Sequence, residues 1–213
     1  SEIIRWTFNS FAIAAGCALL QVVTASLAGY AFARKDFRGR HVIFWLMLVQ
    51  LIVPYHVTII PVFILLSRLQ LVDTYWAFWL PFATSVFSTF LMRQAMIDIP
   101  RDYDEAARID GANDLQIWWR IILPMCRPTV IVLVIFTFLQ LWNDFFFAQL
   151  MLKSSANATL PLTLYSFAST SISGLRWNLV FAHLVMTSAP LVILYLLAQP
   201  RILAGLTEGG LKG

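Results

Sequence analysis

Five long stretches of this chain carry no Asp, Glu, Lys or Arg. Between Arg5 and Arg34 there are 28 such residues, between Arg40 and Arg68 there are 27, and between Asp73 and Arg93 there are 19. Arg127 to Asp144 leaves 16, and Arg176 to Arg201 leaves 24. A helix that crosses a bilayer needs about 20 mostly apolar residues. Four of the gaps reach that length or fall one short, and the remaining one does so if Asp144 is admitted near its end. The gaps predict five spans, at about 9–32, 42–66, 75–92, 128–150 and 179–199. These runs are continuously apolar and do not alternate, which excludes a barrel of strands. Only 12% of the residues are charged, half of what a soluble domain carries. The fold class expected is all-α, a polytopic transmembrane helix bundle forming a single domain over 1–213.

Lys and Arg set the orientation. Loops 33–41 and 93–127 and the C-terminal tail hold 11 of the 15, while Arg5, Arg68, Lys153 and Arg176 fall on the other side. The richer side is cytoplasmic, which puts the C-terminus inside a multi-pass protein of a prokaryotic cell membrane. The net charge of +4 is then a topology signal, and no nucleic-acid partner is needed to explain it. Five spans with an inside C-terminus place Ser1 outside. The chain opens on Ser with no cleavable signal, so one further N-terminal span is expected upstream. Cys17 and Cys126 fall in a span and on the cytoplasmic side, and support no disulfide framework.

Proline punctuates the spans at Pro54, Pro61, Pro81 and Pro190. Each removes a backbone hydrogen bond that lipid cannot replace, as in the broken helices of transporters, although inert bundles kink as well. Ala12 and Gly16 form a small-xxx-small pair suited to close helix approach. Polar residues within the spans are few, chiefly Gln21, Gln50, His56, Gln140, Asn143, Asp144 and His183. They have no zinc-ligand spacing and form no hydrolase set. His56 and His183 read as packing or interfacial residues. Trp142-Asn143-Asp144 is the most polar point of an otherwise apolar span. Neighbours on a helix point about 100° apart, so one of Asn143 and Asp144 can line a polar path, with Trp142 offering a ring face. Alternatively, all three pin the helix at the outer interface, where Trp is enriched. Gln50 and Gln140 are the other candidates for such a path.

The loop 98–128 carries the most information. Asp102 and Glu105 have capping-box spacing, and a helix is expected from Tyr103 to about Asp110. Gly111 suits the left-handed position that ends a helix. Asn113 and Gln116 repeat the cap spacing, so a second helix should run toward Ile122, followed by Pro124 and Pro128. Ala106 and Ala107 permit close approach of another backbone, and Glu105 offers a charge to a cationic partner. An ordinary amphipathic linker on the headgroups is the plainer reading.

Glu105-Ala106-Ala107, then Gly111, then Ile121 and Leu123-Pro124 resemble the E-A-A loop of ABC importer membrane subunits, with Asp110 before Gly111 and Pro128 after agreeing. The likeness covers nearly the whole chain. It includes Asn9-Ser10, Ala31-Phe32-Ala33-Arg34, Phe37-Arg38-Gly39-Arg40, Pro54, Pro61, Trp142-Asn143-Asp144, Thr159-Leu160-Pro161-Leu162, Gly205-Leu206-Thr207 and Lys212-Gly213. Glu208-Gly209-Gly210 departs from a Gly-Ala-rich final segment. The chain is thus similar to the second permease of carbohydrate importers, the maltose type, with an ABC importer type I permease fold. The resemblance implies a homologous permease partner, an ABC ATPase dimer and an extracytoplasmic solute-binding protein. It implies that Glu105, Ala106, Ala107, Asp110, Gly111, Ile121, Leu123 and Pro124 couple to the ATPase, and that the outer segment 151–178 meets the binding protein. The chain has no phosphate-cradling G-x-x-x-x-G-K-[S/T] loop. ATP and Mg are therefore expected on the partner ATPase, with no cofactor on this chain and no catalysis by it. An importer of glycerol phosphate, polyol or another small solute is the alternative within this class. An ion-gradient-driven secondary transporter is the alternative outside it, but it would usually show charges near the midplane.

Overall fold

A computed structural model describes residues 2–169 and 177–210. The described chain is helical, with α1 (Glu2–Arg34), α2 (Arg40–Val49), α3 (Tyr55–Arg68), α4 (Trp76–Trp79), α5 (Val86–Ile97) and α6 (Asp102–Ile109) leading. After these come α7 (Asp114–Ile117), a π turn at Trp118–Ile122, α8 (Leu123–Met125), α9 (Arg127–Trp142), α10 (Phe146–Met151), α11 (Leu160–Ser169) and α12 (Trp177–Gly210). The all-α expectation holds among the described residues.

The spans are less regular than the charge gaps suggest. Among the described residues, α1 alone is a single helix long and apolar enough to cross a membrane. Two bent pairs reach that length only together: Arg40–Ile52 with Tyr55–Arg68, turned by 100°, and Asp114–Met125 with Arg127–Trp142, turned by 80°. The expected 42–66 helix breaks because Val53, ahead of Pro54, is forced into extended backbone (φ −76, ψ 118). The expected 75–92 helix is interrupted at 84–85, where extended Ser85 accepts the Ser88 amide at 3.3 Å and caps α5. The expected 128–150 helix stops at Trp142. There the Asn143 amide side chain donates to Leu139 O (2.8 Å) and the Asp144 carboxylate accepts the Ala148 amide (3.0 Å). Short polar side chains that bond nearby backbone compete with the helix ladder.

The chain divides into two compact units. One gathers Ser1–Ala18, Thr58–Pro81 and Ile135–Gly213, around buried Ile13, Leu66, Phe78, Trp142, Phe147 and Met151. In it, the Ala12/Gly16 pair admits an aromatic ring and not a second backbone. Trp79 donates its indole N–H to Ala12 O at 3.3 Å, and a Cβ on Gly16 would lie 2.7 Å from Trp79 Cε2. His183 is buried and packs as expected, with Nε2 at 2.9 Å from Leu160 O.

The other unit gathers Leu19–Val57 and Phe82–Val134. Its core joins Ala25, Tyr30 and Ala33 of α1 to Met92 and Met96 of α5, and to Ala107, Ile117, Trp118 and Ile122 of the 98–125 loop. Here the close helix approach does occur: a Cβ on Gly29 would stand 2.9 Å from Met92 Cβ and 3.0 Å from the Arg93 amide nitrogen.

Candidate functional site

The 98–125 loop is built by its helix ends. Asp102, Asp104 and Glu105 fill the first turn of α6, where negative charge is favoured by the helix dipole. Asp102 does not cap the helix as expected. The turn begins one residue earlier, at Arg101 in helical conformation, and no side-chain cap is formed. The other end follows the expectation. Gly111 has φ +83, which a Cβ would penalise, and its amide donates to Arg108 O (3.0 Å) while the Ala112 amide donates to Ala107 O (2.9 Å). These two bonds form a complete Schellman motif. Asn113 and Gln116 form the expected capping box, each side chain accepting the other's amide at 2.9 Å. Beyond it the chain stays helical past Ile122 to Met125, so that Pro124 lies within the turn and Pro128 in the first turn of α9.

α6 is strongly two-sided. Glu105, Ala106 and Asp110 are exposed, while Asp104 and Ala107 are buried. Ala106, Asp110 and half-buried Ile121, together with Tyr103 and Pro100, line an open groove of about 640 Å³. Leu123 and Pro124 are half-buried farther along. The structure thus brings Ala106, Ala107, Asp110 and Ile121 to one groove, with Glu105 exposed on the same short helix. Glu105 itself shares a small pocket with Arg34, Arg101, Asp104 and Arg108.

Residues at the end of α1 hold this loop; in the sequence Arg34 and Lys35 are loop charges, Arg34 also closing the Ala31-Phe32-Ala33-Arg34 likeness. Arg34 forms a buried ion pair with Asp104 (3.4 Å) and donates to Ile99 O (2.7 Å). Lys35 pairs with exposed Asp114, which also lies 3.4 Å from Arg108. Lys35, with help from Arg108, holds the Asp114 carboxyl below the usual carboxylate range against the opposing effect of burial. No spacing rule links residue 34 to 104, so the sequence carries no signal for the pair.

The candidate path residues do not form one constellation. Gln50 is exposed in the single 3₁₀ turn before the Val53–Pro54 break. Gln140 is exposed on α9. Trp142 is 1% exposed, stacks on Phe138 and donates its indole N–H to Thr187 O at 3.0 Å, so its ring is occupied by packing. Asp144 is half-buried and lies two residues ahead of α10, where its carboxylate accepts the Ala148 amide, off any continuous helix. Asn143 is exposed and, with Tyr165, Leu184 and Ser188, lines a groove of about 550 Å³. Asn143 and Asp144 do not diverge by one helical step, because α9 ends at Trp142.

A second hub lies at 151–160. Asp73, at φ +65, accepts the amides of Lys153 (2.9 Å) and Ser154 (3.1 Å), and its own amide donates to Met151 O (2.8 Å). Burial pushes the Asp73 carboxyl up, but the donors from Ser154 and Lys153 outweigh it and hold it below the usual range. Buried Asn9 donates to Ala156 O and Ala158 O (both 2.9 Å) and accepts from Tyr75 Oη (2.6 Å). Trp6 donates to Ser155 O (3.0 Å). Of the segment expected to meet a binding protein, residues 170–176 lie outside the described residues, as does the expected end motif Lys212-Gly213.

Residues 21–204 match the family described as binding-protein-dependent transport system inner membrane component. The chain is 36% identical over 208 residues to the arabinooligosaccharides transport system permease protein AraQ of Halalkalibacterium halodurans, covering 98% of this chain and 74% of that protein. It is 32% identical over 200 residues to the sn-glycerol-3-phosphate transport system permease protein UgpE of Yersinia pestis, covering 94% and 71%. A crystal structure of a bacterial ABC transporter involved in the import of the acidic polysaccharide alginate shares the fold, with a TM-score of 0.84 at 24% identity over 94% of this chain and 75% of that one.

Proposed function

The chain belongs to the binding-protein-dependent transport system inner membrane component family and is an ABC-importer permease subunit; from that premise we propose that it is the second permease of a carbohydrate importer of the maltose type. In this reading it forms the pathway with a homologous permease, receives its cargo from an extracytoplasmic binding protein, and is driven by a separate ATPase dimer that binds ATP and Mg. Loop 98–125 and the C-terminus face the cytoplasm. Glu105 contacts basic residues of the ATPase, with Ala106, Asp110 and Ile121 providing the small-residue groove beside it.

The observation that carries this reading is the form of α6. A charged, exposed Glu105 is held on a short helix whose far end is fixed by Gly111 and whose back is buried. Such a rigid projection suits transmission of a partner's movement. ATP-driven closure of the ATPase pair would then favour one of two permease conformations through its differential affinity for them. Glu105→Lys should leave the permease in the membrane but reduce ATPase co-purification and solute uptake at least about tenfold, since a like charge now faces a basic surface. Undiminished ATPase recovery together with normal uptake would refute the assignment.

The similarity to the arabinooligosaccharide permease favours an oligosaccharide as cargo. The likeness to the glycerol-3-phosphate permease favours a second reading, a phosphorylated polyol. Asn143, which lines the groove beside Tyr165, is the residue we place on the path; Gln50 and Gln140 are further candidates. Calorimetry of the cognate binding protein with oligosaccharides and with glycerol phosphate separates the two cargoes directly.

A further inference from the structure

We propose that Arg34 and Asp104 act as a positioning pair, fixing the pitch of α6 against the end of α1 so that displacement of Glu105 is delivered to α1. The inference rests on the coupling reading above and adds residues that touch no partner. Arg34 is the last residue of α1, and Asp104 lies in the first turn of α6. Their side chains are 4% and 8% exposed, with Arg34 Nε 3.4 Å from Asp104 Oδ2. Arg34 Nη2 also donates to Ile99 O at 2.7 Å. One planar guanidinium therefore grips the chain on both sides of Pro100: the turn entering α6 and the first turn of α6 itself. A lysine ammonium is a point charge without this fork and cannot reproduce both contacts in the same geometry.

The pair is also placed well along the helix axes. Arg34 sits at the C-terminal end of a helix and Asp104 at the N-terminal end of another, so each charge opposes the partial charge of its helix end. Neither carboxylate oxygen of Asp104 makes a hydrogen bond within the described chain, nor does Arg34 Nε, so charge across 3.4 Å is what links the two. A buried pair of this kind adds little net stability, because desolvation rivals the attraction. It does impose a definite arrangement. Asp104 and Glu105 are successive residues about 100° apart around α6, so one turn carries both the inner anchor and the exposed contact. Lys35–Asp114, beside it, joins a half-buried lysine to an exposed carboxylate, a partly solvated pair of the sort that contributes little.

The test uses the whole importer in proteoliposomes and reads solute imported per ATP hydrolysed, alongside ATPase co-purification. Arg34→Met combined with Asp104→Leu removes both buried charges together. This double variant should retain the ATPase, while imported solute per ATP falls about tenfold. Arg34→Lys keeps the charge but loses the fork, and should lower the ratio about threefold. Lys35→Met should leave the ratio within about twofold of the parent. A parental ratio in either assembled Arg34 variant overturns the proposal and leaves the pair a packing feature. If the double variant does not assemble, Arg34→Lys decides alone. Failure of the coupling reading shows elsewhere, as intact ATPase attachment together with normal uptake in Glu105→Lys.

Discussion

The 98–125 loop and the 151–160 segment both hold irregular chain against helix ends, yet their partners lie at very different distances along the sequence. In the first, the Schellman motif joins 111 to 108 and 112 to 107, and the capping box joins 113 to 116. In the second, Trp6 and Asn9 reach residues 147 to 149 positions away, and Asp73 reaches residues 80 and 81 positions away. Local caps give a structure that forms from its own sequence and can act as one rigid piece. Long-range clasps give a structure that exists only after three remote parts of the chain have met. The first suits a lever and the second suits a folded platform.

The contrast is broken most severely at Asn9. Asn9→Leu removes donors to Ala156 O and Ala158 O and strands the Tyr75 hydroxyl in a site where Asn9 is 2% exposed. Unsatisfied buried groups cost roughly 1–3 kcal/mol each, so the loss should total about 3 kcal/mol. Thermal unfolding in detergent measures this. A loss below about 1 kcal/mol would mean that the clasp is no more demanding than a local cap.

Local substitutions should be milder. At Gly111 an added Cβ would meet nothing within 4 Å, so Gly111→Ala tests the backbone alone. It should cost about 1–2 kcal/mol through the left-handed φ and raise amide exchange in 107–112 while leaving 151–160 unchanged. Asn113→Ala should cost about 1 kcal/mol. Combined with Gln116→Ala it should cost less than the two single changes together, because both remove one reciprocal box. Additive losses would show that the two side chains act independently.

The same difference explains what the sequence reveals. Gly111, Asn113 and Gln116 were legible because their partners fall within one or two helical turns. The charge gaps located the apolar runs, but they could not register the breaks at Val53–Pro54, Ser85 and Asn143–Asp144. A break depends on whether a side chain or a neighbouring element takes over the freed backbone groups, and hydropathy is blind to that. Asp102 has the spacing of a cap, but Arg101 holds the N-cap position and Asp102 is the first residue of α6, so spacing alone does not select the cap. In the sequence Arg34 is a loop charge within Ala31-Phe32-Ala33-Arg34, Asp73 a gap boundary and Asn9 part of the Asn9-Ser10 likeness. Each became a tether only through tertiary contact.

Asp73 gives the smallest and most selective comparison, because its clasp titrates. Its carboxyl lies below the usual range when folded, since the Ser154 and Lys153 amides outweigh the effect of burial. A depressed folded pKa means that the contribution is complete above the unfolded value, near about 3.9. It is lost as pH falls from there through the folded value, because over that interval the unfolded chain binds a proton that the folded chain does not. Asp73 is only partly buried, so solvent screening should keep the effect below about 1 kcal/mol. The parent should therefore be slightly more stable than Asp73→Asn at pH 6, with the gap closing below about pH 4. Thermal unfolding of both proteins across that range checks it. A gap that stays constant down to pH 3 would assign the difference to shape, because the charge-assisted bonds to Lys153 and Ser154 should have weakened on protonation. The Gly111 and Asn113 variants carry no titrating group at the altered position, and their offsets from the parent should not change with pH over the same interval.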